Sequence, residues 1–266
     1  MKRLGVVVHP SRQEVRDARE RLIEIAEKRQ LSVVDAEEDP CDVVIALGGD
    51  GTILRAAGVA WRAKVPLLAV NLGRFGYLSS VDQSQMEEAV DALMSGDLEI
   101  DQRMMVEASI PGVSSTPVAL NEFVVERAEP ARVIEVRVSV GDEEIATYTV
   151  DGFIVATPTG STAYSLSAGG PIVEPHMQAL LLTPVSPHRP LWRPVVVGPG
   201  RIVSIELVSG KAIITADGQV VSSVEEGQEI RFRSTESPVD FVDVGGYDFF
   251  RRIRSRFHID PGSGTS

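Results

Sequence analysis

The tightest constraint on the fold lies between Asp42 and Ala63. An apolar run, Asp42-Val43-Val44-Ile45-Ala46-Leu47, leads into Gly48-Gly49-Asp50-Gly51-Thr52, and a helical stretch, Ile53 to Ala63, follows. This reads as a buried strand that ends in a glycine turn and opens a helix. Glycine lets backbone amides approach a ligand closely, and the first free amides of a helix favour a phosphate. Asp50, set among those amides, is a candidate base; as a plain turn residue it would instead cap the helix. A Walker loop is excluded because no Gly-Lys-Ser/Thr follows. The spacing Gly-Gly-x-Gly also differs from the Gly-x-Gly-x-x-Gly of dinucleotide-binding folds.

The flanking sequence repeats the same alternation. Leu4 to Val8 reads as a strand ending at His9-Pro10-Ser11. Glu14 to Arg29 reads as a helix with Val15, Leu22, Ile25 and Ala26 on its apolar face. Leu31 to Val34 and Val65 to Val70 are further strands, and Met86 to Met94 a helix stopped by Ser95-Gly96. Strand–helix alternation predicts a parallel sheet covered by helices. Ligands of such sheets sit beyond the carboxyl ends of the strands. Two glycine loops emerge there, the Gly48–Thr52 turn and Asn71-Leu72-Gly73-Arg74-Phe75-Gly76-Tyr77-Leu78. The second is either a ligand loop or a plain connection.

From about Arg103 the segments become short, β-branched and separated by turn residues. They are Ala119 to Glu126, Val133 to Val140, Ile145 to Val150, Phe153 to Ala156, Ile202 to Val208, Ala212 to Ala216, Glu229 to Phe232 and Val239 to Val242. This half is expected to be antiparallel and β-rich. Phe249, Ile253 and Phe257 recur every four residues and predict a helix that returns to pack on the first domain. The expected division is residues 1–102 completed by a helix over 247–258, a β-rich domain over 103–246, and a disordered polar tail, 259–266.

Two polar features interrupt the β-rich half. Asn121-Glu122 breaks an apolar strand; neighbours on a strand face opposite ways, so either one of the pair points inward and needs a partner, which a ligand can supply, or the pair marks a bulge or strand end with both groups solvated. The other is Asp151 to Val173, where a strand runs into Thr157-Pro158-Thr159-Gly160-Ser161-Thr162-Ala163-Tyr164-Ser165-Leu166-Ser167 and closes at Gly169-Gly170-Pro171. Its hydroxyls suggest a dense hydrogen-bonding surface. No His/Cys cluster suggests zinc, and no Gly-x-Ser-x-Gly elbow occurs.

Composition narrows the class. The 266 residues carry a net charge of −12 and a pI near 4.9, which argues against nonspecific nucleic-acid binding. Cys41 is the single cysteine, so no internal disulfide forms and a reducing compartment fits. The apolar stretch after Met1-Lys2-Arg3 is too short for a signal peptide or a membrane span. A cytoplasmic protein without a membrane partner is expected.

Taken in order, the motifs resemble those of the NAD kinase family, which phosphorylates the 2′-hydroxyl of the adenosine ribose of NAD to give NADP. They are Gly48-Gly49-Asp50-Gly51-Thr52, the Asn71-x-Gly73-x-x-Gly76-Tyr77-Leu78 loop, Asn121-Glu122, and Asp151-Gly152 through Gly170-Pro171-Ile172. Thr183-Pro184-Val185-Ser186-Pro187-His188 with Arg189-Pro190 resembles a fifth, shortened between His and Arg. The resemblance implies an α/β N-terminal domain with a parallel sheet, a β-sandwich C-terminal domain, and an active site between them. It makes Asp50 the proton acceptor, places Gly51 and Arg55 at the nucleotide, and gives Asn121 and Glu122 the base and ribose. It sets Arg132 along the site, assigns Asp151 and Thr162, Ala163, Tyr164, Ser165, Leu166 and Ser167 to the adenosine side, and makes Gln219 a later contact. ATP or polyphosphate is the implied donor, NAD and NADP the ligands, magnesium the cation carried on the donor, and a homodimer or homotetramer the assembly. Thr149 stands where many relatives have arginine, two residues before Asp-Gly. A lipid or diacylglycerol-type kinase would share the first motif without the Ser/Thr-rich stretch. A non-catalytic NAD(P)-binding regulator would have no need of Asp50.

Overall fold

The structure, a computed structural model of the chain, describes residues 1–9, 12–73, 76, 78, 81–96, 98–189, 192–244 and 249–257, with 256 and 257 described by backbone alone. Arg74, Phe75 and Tyr77 of the second glycine loop, Pro190, both flanks of the expected C-terminal helix and the expected tail lie outside the described residues. The chain begins with β1 (Arg3–Val8), α1 (Gln13–Lys28), β2 (Ser32–Asp35), β3 (Val43–Gly48), α2 (Asp50–Ala63), β4 (Leu67–Asn71), β5 (Val81–Asp82), α3 (Met86–Ser95) and β6 (Glu99–Arg103). Next come β7 (Val106–Ser109), β8 (Val118–Ala119), β9 (Glu122–Arg127), β10 (Ile134–Val140), β11 (Glu143–Val150) and β12 (Gly152–Ala156). One turn of helix, α4 (Tyr164–Ser167), precedes β13 (Leu180–Val185), β14 (Val195–Val197), β15 (Val203–Ser209), β16 (Ala212–Ala216), β17 (Gln219–Val224) and β18 (Glu229–Ser234). The last elements are β19 (Val239–Asp243) and α5 (Phe249–Phe257).

Two compact units result, Met1–Asp101 with the chain from Asp240 onward, and Gln102–Val239. In the first, the sheet order is β2-β1-β3-β4-β19-β6, with β5 on β4. The pairs β1–β2, β1–β3, β3–β4, β4–β5 and β4–β19 are all parallel. Every residue of β3 and β4 is buried, as expected of strands covered on both faces. Helix α1 turns Val15, Ala18, Leu22, Ile25 and Ala26 inward at helical spacing, and α2 does the same with Ile53, Ala56, Ala57 and Ala60. Strand β19 corrects the sequence reading: expected in the antiparallel half, it pairs parallel with β4 through Phe241 and Leu67. A short β-branched run carries no mark of which sheet it joins.

The second unit is a β-sandwich. One antiparallel sheet runs β11-β10-β15-β18-β7-β8 and the other β14-β13-β12-β9-β16-β17. Their inner faces share one core, which includes Val136, Ile205 and Phe232 from the first sheet and Phe123, Phe153 and Ile214 from the second. The Phe123 and Phe232 rings meet across it at 5.5 Å, and Tyr148 and Phe153 at 5.1 Å. Alternation is clean in β10, whose seven residues run buried–half-buried throughout. Both predicted fold classes therefore hold: a helix-covered parallel sheet first, a sandwich second. Phe123 is fully buried, and the site residue Glu122 precedes it on β9. Phe123→Ala should cost the sandwich about 3–5 kcal/mol, read as a lower denaturant midpoint at unchanged slope.

Candidate active site

In the first unit, β3 and β4 end in register, Gly48 opposite Asn71, so the two glycine loops leave the sheet side by side. Asn71 is buried, and its side chain both donates to the Gly73 carbonyl and accepts from the Gly73 amide, each at 3.1 Å. That closes a turn over Asn71–Gly73, where the second loop begins. Helix α2 starts inside the first motif rather than after it. Gly49 is its N-cap, and its carbonyl receives the Thr52 and Ile53 amides at 2.9 and 3.2 Å. Asp50 is the first helical residue and makes no capping bond, so the capping role open to it in the sequence is not the one it plays.

The Asp50 carboxylate lies instead against Gly76 of the second loop. A Cβ at Gly76 would stand 2.5 Å from Asp50 Cγ, so glycine is obligatory there for this carboxylate position. Arg252 of α5 donates to the Gly76 carbonyl at 2.9 Å and ties down the same residue. Asp50 Oδ1 is buried with no hydrogen-bond partner. Gly48 packs on Thr52, whose Cβ would be 2.9 Å from an added Cβ, whereas Gly49 and Gly51 face open space. Arg55 points the other way, with Nη2 donating to the Val8 carbonyl at 2.8 Å and Nε 3.3 Å from Glu37.

In the second unit, Asn121-Glu122 begins β9. Glu122 is the inward member of the pair, 7% exposed. Its carboxyl accepts the Tyr164 amide, while Oε2 is buried without a partner. Burial first, and then the nearby Asp217 charge, push its pKa up to about 8, against the pull of the Tyr164 amide. Asp217 sits with Gly218 at the β16–β17 turn, both at positive φ, 47° and 78°. Its carboxylate accepts amides from Leu120, Asn121 and Glu122, yet burial still lifts its pKa to about 6.

The hydroxyl-rich stretch turns mostly inward, which corrects the expected hydrogen-bonding surface. Thr157 bonds Leu120, Ser161 exchanges bonds with Val173, and Ser165 meets Thr183 at 2.9 Å. Gly160 packs on Asn121, whose carbonyl carbon would be 2.5 Å from an added Cβ. Thr162, Ala163 and Leu166 are half-buried, and Tyr164 and Ser167 are exposed. Beside Tyr164 opens a cleft of about 410 Å³ whose walls include Glu126, Arg127, Asp151, Val185 and Ser186. Across it Arg127 Nε pairs with Asp151 Oδ1 at 3.0 Å.

Two family descriptions match this chain: the ATP-NAD kinase N-terminal domain over residues 12–98, and the ATP-NAD kinase C-terminal domain over 120–244. The chain belongs to the NAD kinase family. The NAD kinase of Heliobacterium modesticaldum is 41% identical over 220 residues, covering 81% of this chain and 78% of that one. That of Moorella thermoacetica is 34% identical over 278 residues, covering 96% and 89%. Among solved structures, yeast NADH kinase complexed with NADH superposes with a TM-score of 0.88 at 25% identity, covering all of this chain and 90% of that one. An NAD kinase from Archaeoglobus fulgidus in complex with ATP gives 0.76 at 32% identity, covering 96% and 97%.

The residues that the NAD kinase resemblance singled out thus fall into tight groups. Gly48, Gly49, Asp50, Gly51, Thr52, Asn71, Gly73 and Gly76 build the paired loops. The Tyr164 amide joins the 162–167 run to the buried Glu122 carboxyl beside Asn121, and Asp151 and Tyr164 share the cleft. Three residues are drawn into none of these groups: Arg55 turns to Val8 and Glu37, Arg132 is 81% exposed beside Glu129, and Gln219 is exposed at the start of β17. Asp217 is what the sequence reading passed over. Its signal was an Asp-Gly between two β-runs, the mark of a tight hairpin. Two outcomes test this geometry. Gly76→Ala should displace the Asp50 carboxylate and lower turnover at least tenfold, with little loss of melting temperature. For Glu122 the folded pKa lies above the ordinary 4.5, so its contribution to stability is present below that value and lost as pH rises through about 8. Glu122→Gln should flatten that slope, so the variant gains on wild type in melting temperature between pH 5 and pH 8.5.

Proposed function

We propose that this chain acts as an NAD kinase, moving a phosphoryl group from ATP to the 2′-hydroxyl of the adenosine ribose of NAD. The observation that carries the reading is where unpaired polar atoms lie. Three buried side-chain atoms among the described residues have neither a hydrogen-bond nor an ion-pair partner: Asp50 Oδ1, Glu122 Oε2 and Thr159 Oγ1; Arg55 Nε makes no hydrogen bond but is ion-paired with Glu37 at 3.3 Å. Two of the three belong to residues that the motifs had singled out, and such atoms are uncommon unless a ligand completes them.

Phosphoryl transfer asks a protein mainly for positioning and charge neutralisation, with a carboxylate to orient the attacking hydroxyl. Asp50 takes the ribose 2′-hydroxyl proton as the new O–P bond forms and the bond to the leaving phosphate breaks. The amides at the start of α2, opened by Gly49 and Gly51, receive donor phosphate. Asn121 and Glu122 bind base and ribose, and Tyr164 packs its half-exposed ring beside the dinucleotide. Arg55, held on β1, is assigned to positioning α2. ATP is the favoured donor, with polyphosphate as the alternative.

Among the described residues no group of three His, Cys, Asp or Glu side chains could hold a metal ion. Magnesium is assigned to the donor, bound through phosphate and water as is its habit in phosphoryl transfer. Placement in the cytoplasm rests on the single cysteine, Cys41, which suits a reducing compartment. A homodimer or homotetramer is the expected assembly. The comparisons lend no support to a lipid kinase or a silent regulator.

NADP formation from NAD and magnesium-ATP by the purified protein is the direct test. Asp50→Asn keeps shape but cannot take the proton, so kcat should fall about 10²–10⁴-fold while the KM for NAD changes little. A variant within about threefold of wild type would remove Asp50 from the chemistry. Exhaustive chelation should abolish turnover, and magnesium should restore it.

A further inference from the structure

Leu120 to Glu122 lies where the strand path breaks, between β8 and β9, so the sheet alone does not account for its backbone. Every backbone polar group of these three residues is nevertheless satisfied, by two partners only. The Leu120 carbonyl accepts from Thr157 Oγ1 at 2.5 Å, and the Asn121 carbonyl accepts from the Thr157 amide at 2.8 Å. All three amides go to one side chain. Leu120 N donates to Asp217 Oδ2 at 2.8 Å, and Asn121 N and Glu122 N donate to Oδ1 at 2.8 and 3.2 Å. The Asp217 amide returns a bond to the Glu122 carbonyl at 3.0 Å.

We propose that Asp217 is a positioning residue for NAD binding: its carboxylate, presented from the β16–β17 turn, clamps the Leu120–Glu122 amides and so fixes where Asn121 and the unpartnered Glu122 Oε2 point. Both oxygens are engaged, so the clamp needs a carboxylate. An asparagine there would have to aim its amino group at a backbone N–H from one side or the other, whichever way it is flipped. Two features keep the clamp from sliding. The turn locks Asp217 into left-handed geometry, φ 47°, which asparagine also tolerates. Gly160 bars retreat of the segment, since its Cα faces the Asn121 backbone with no room for a side chain. The same proximity gives Asp217 a second effect, because its charge opposes ionisation of Glu122. The other titratable group at this corner is the Tyr164 phenol, which burial and the charges of Glu126, Asp151 and Glu122 push upward.

The inference rests on the NAD kinase reading above, and its test separates the two. Wild type and Asp217→Asn are compared for KM and kcat with NAD and magnesium-ATP, alone and in a Glu122→Gln background. A positioning role raises the KM for NAD about tenfold or more, with a far smaller fall in kcat and an unchanged KM for ATP. It also makes the two substitutions non-additive, since Asp217 acts through the segment that carries Glu122. A merely structural role lowers melting temperature and active fraction while leaving the KM for NAD where it was. That result, or an equal effect of Asp217→Asn in both backgrounds, overturns the proposal. Asp217→Ser, with one short acceptor and no amino group to clash, serves should Asp217→Asn not fold. A wild-type protein that forms no NADP removes the kinase reading itself, whereas an active wild type with an indifferent Asp217 removes this inference alone.

Discussion

A carboxyl oxygen buried with nothing to bond costs about 1–3 kcal/mol or more, and the described residues include two, on Asp50 and Glu122. Neither would stay in place if its surroundings could relax around it. At Asp50 the restraint is steric: a glycine Cα, Gly76, closes one side of the carboxylate, and Arg252 bonds the carbonyl of that glycine. At Glu122 the restraint is a saturated backbone, every amide and carbonyl of its segment bound by Thr157 or Asp217. These neighbours leave the two polar atoms without a hydrogen-bond partner in the fold, which is the arrangement that the proposed ligand roles require.

What could be read from sequence followed how local each cause is. The alternation of apolar strands with amphipathic helices and the glycine turn after β3 are short-range patterns, and both units have the predicted architecture. Long-range pairing was not legible. Strand β19 resembles its neighbours in composition, yet joins the parallel sheet of the other unit. Strand β13 was missed because Pro184 lies within it, and proline argues against a central strand. Its β14 partners are Leu180 to Leu182, so Pro184 lies past the last of them, where that side of the strand has no ladder to complete. Strand β6, Glu99-Ile100-Asp101-Gln102-Arg103, shows too little alternation to be recognised.

The site divides in the same way. Motif residues were legible because glycines, Asp50 and Asn121-Glu122 are unusual choices within apolar strands. The direction of each hydroxyl in the central stretch was not: Thr157, Ser161 and Ser165 look alike in sequence with Thr162 and Ser167, and only packing turns the first three inward. Asp217 was hidden for another reason. An Asp-Gly between strands is a sufficient explanation of a hairpin by itself, so nothing local shows that its carboxylate also serves residues nearly a hundred positions earlier in the chain, |i−j| = 97 for Leu120.

Charge gives these details a common sense. A chain with net charge −12 that handles phosphorylated ligands has to keep additional negative charge away from them. Glu122 and Asp217 show how a protein can use carboxyls without adding all of that charge. Burial raises both pKa values, and Glu122, lifted to about 8, is largely a neutral acid near pH 7. In that state it offers an O–H donor as well as an acceptor, matching a ribose hydroxyl, which needs both. Asp217 at about 6 remains mostly ionised, and its charge is spent on three amides inside the fold. Burial lifts the pKa of both neighbouring carboxyls, but three amide donors offset it at Asp217, whereas at Glu122 the Asp217 charge adds to it and only the Tyr164 amide opposes. Asp50 is placed differently from both: it is the first residue of α2, at the end of a parallel sheet, with Oδ1 left without a hydrogen-bond partner for its proposed task.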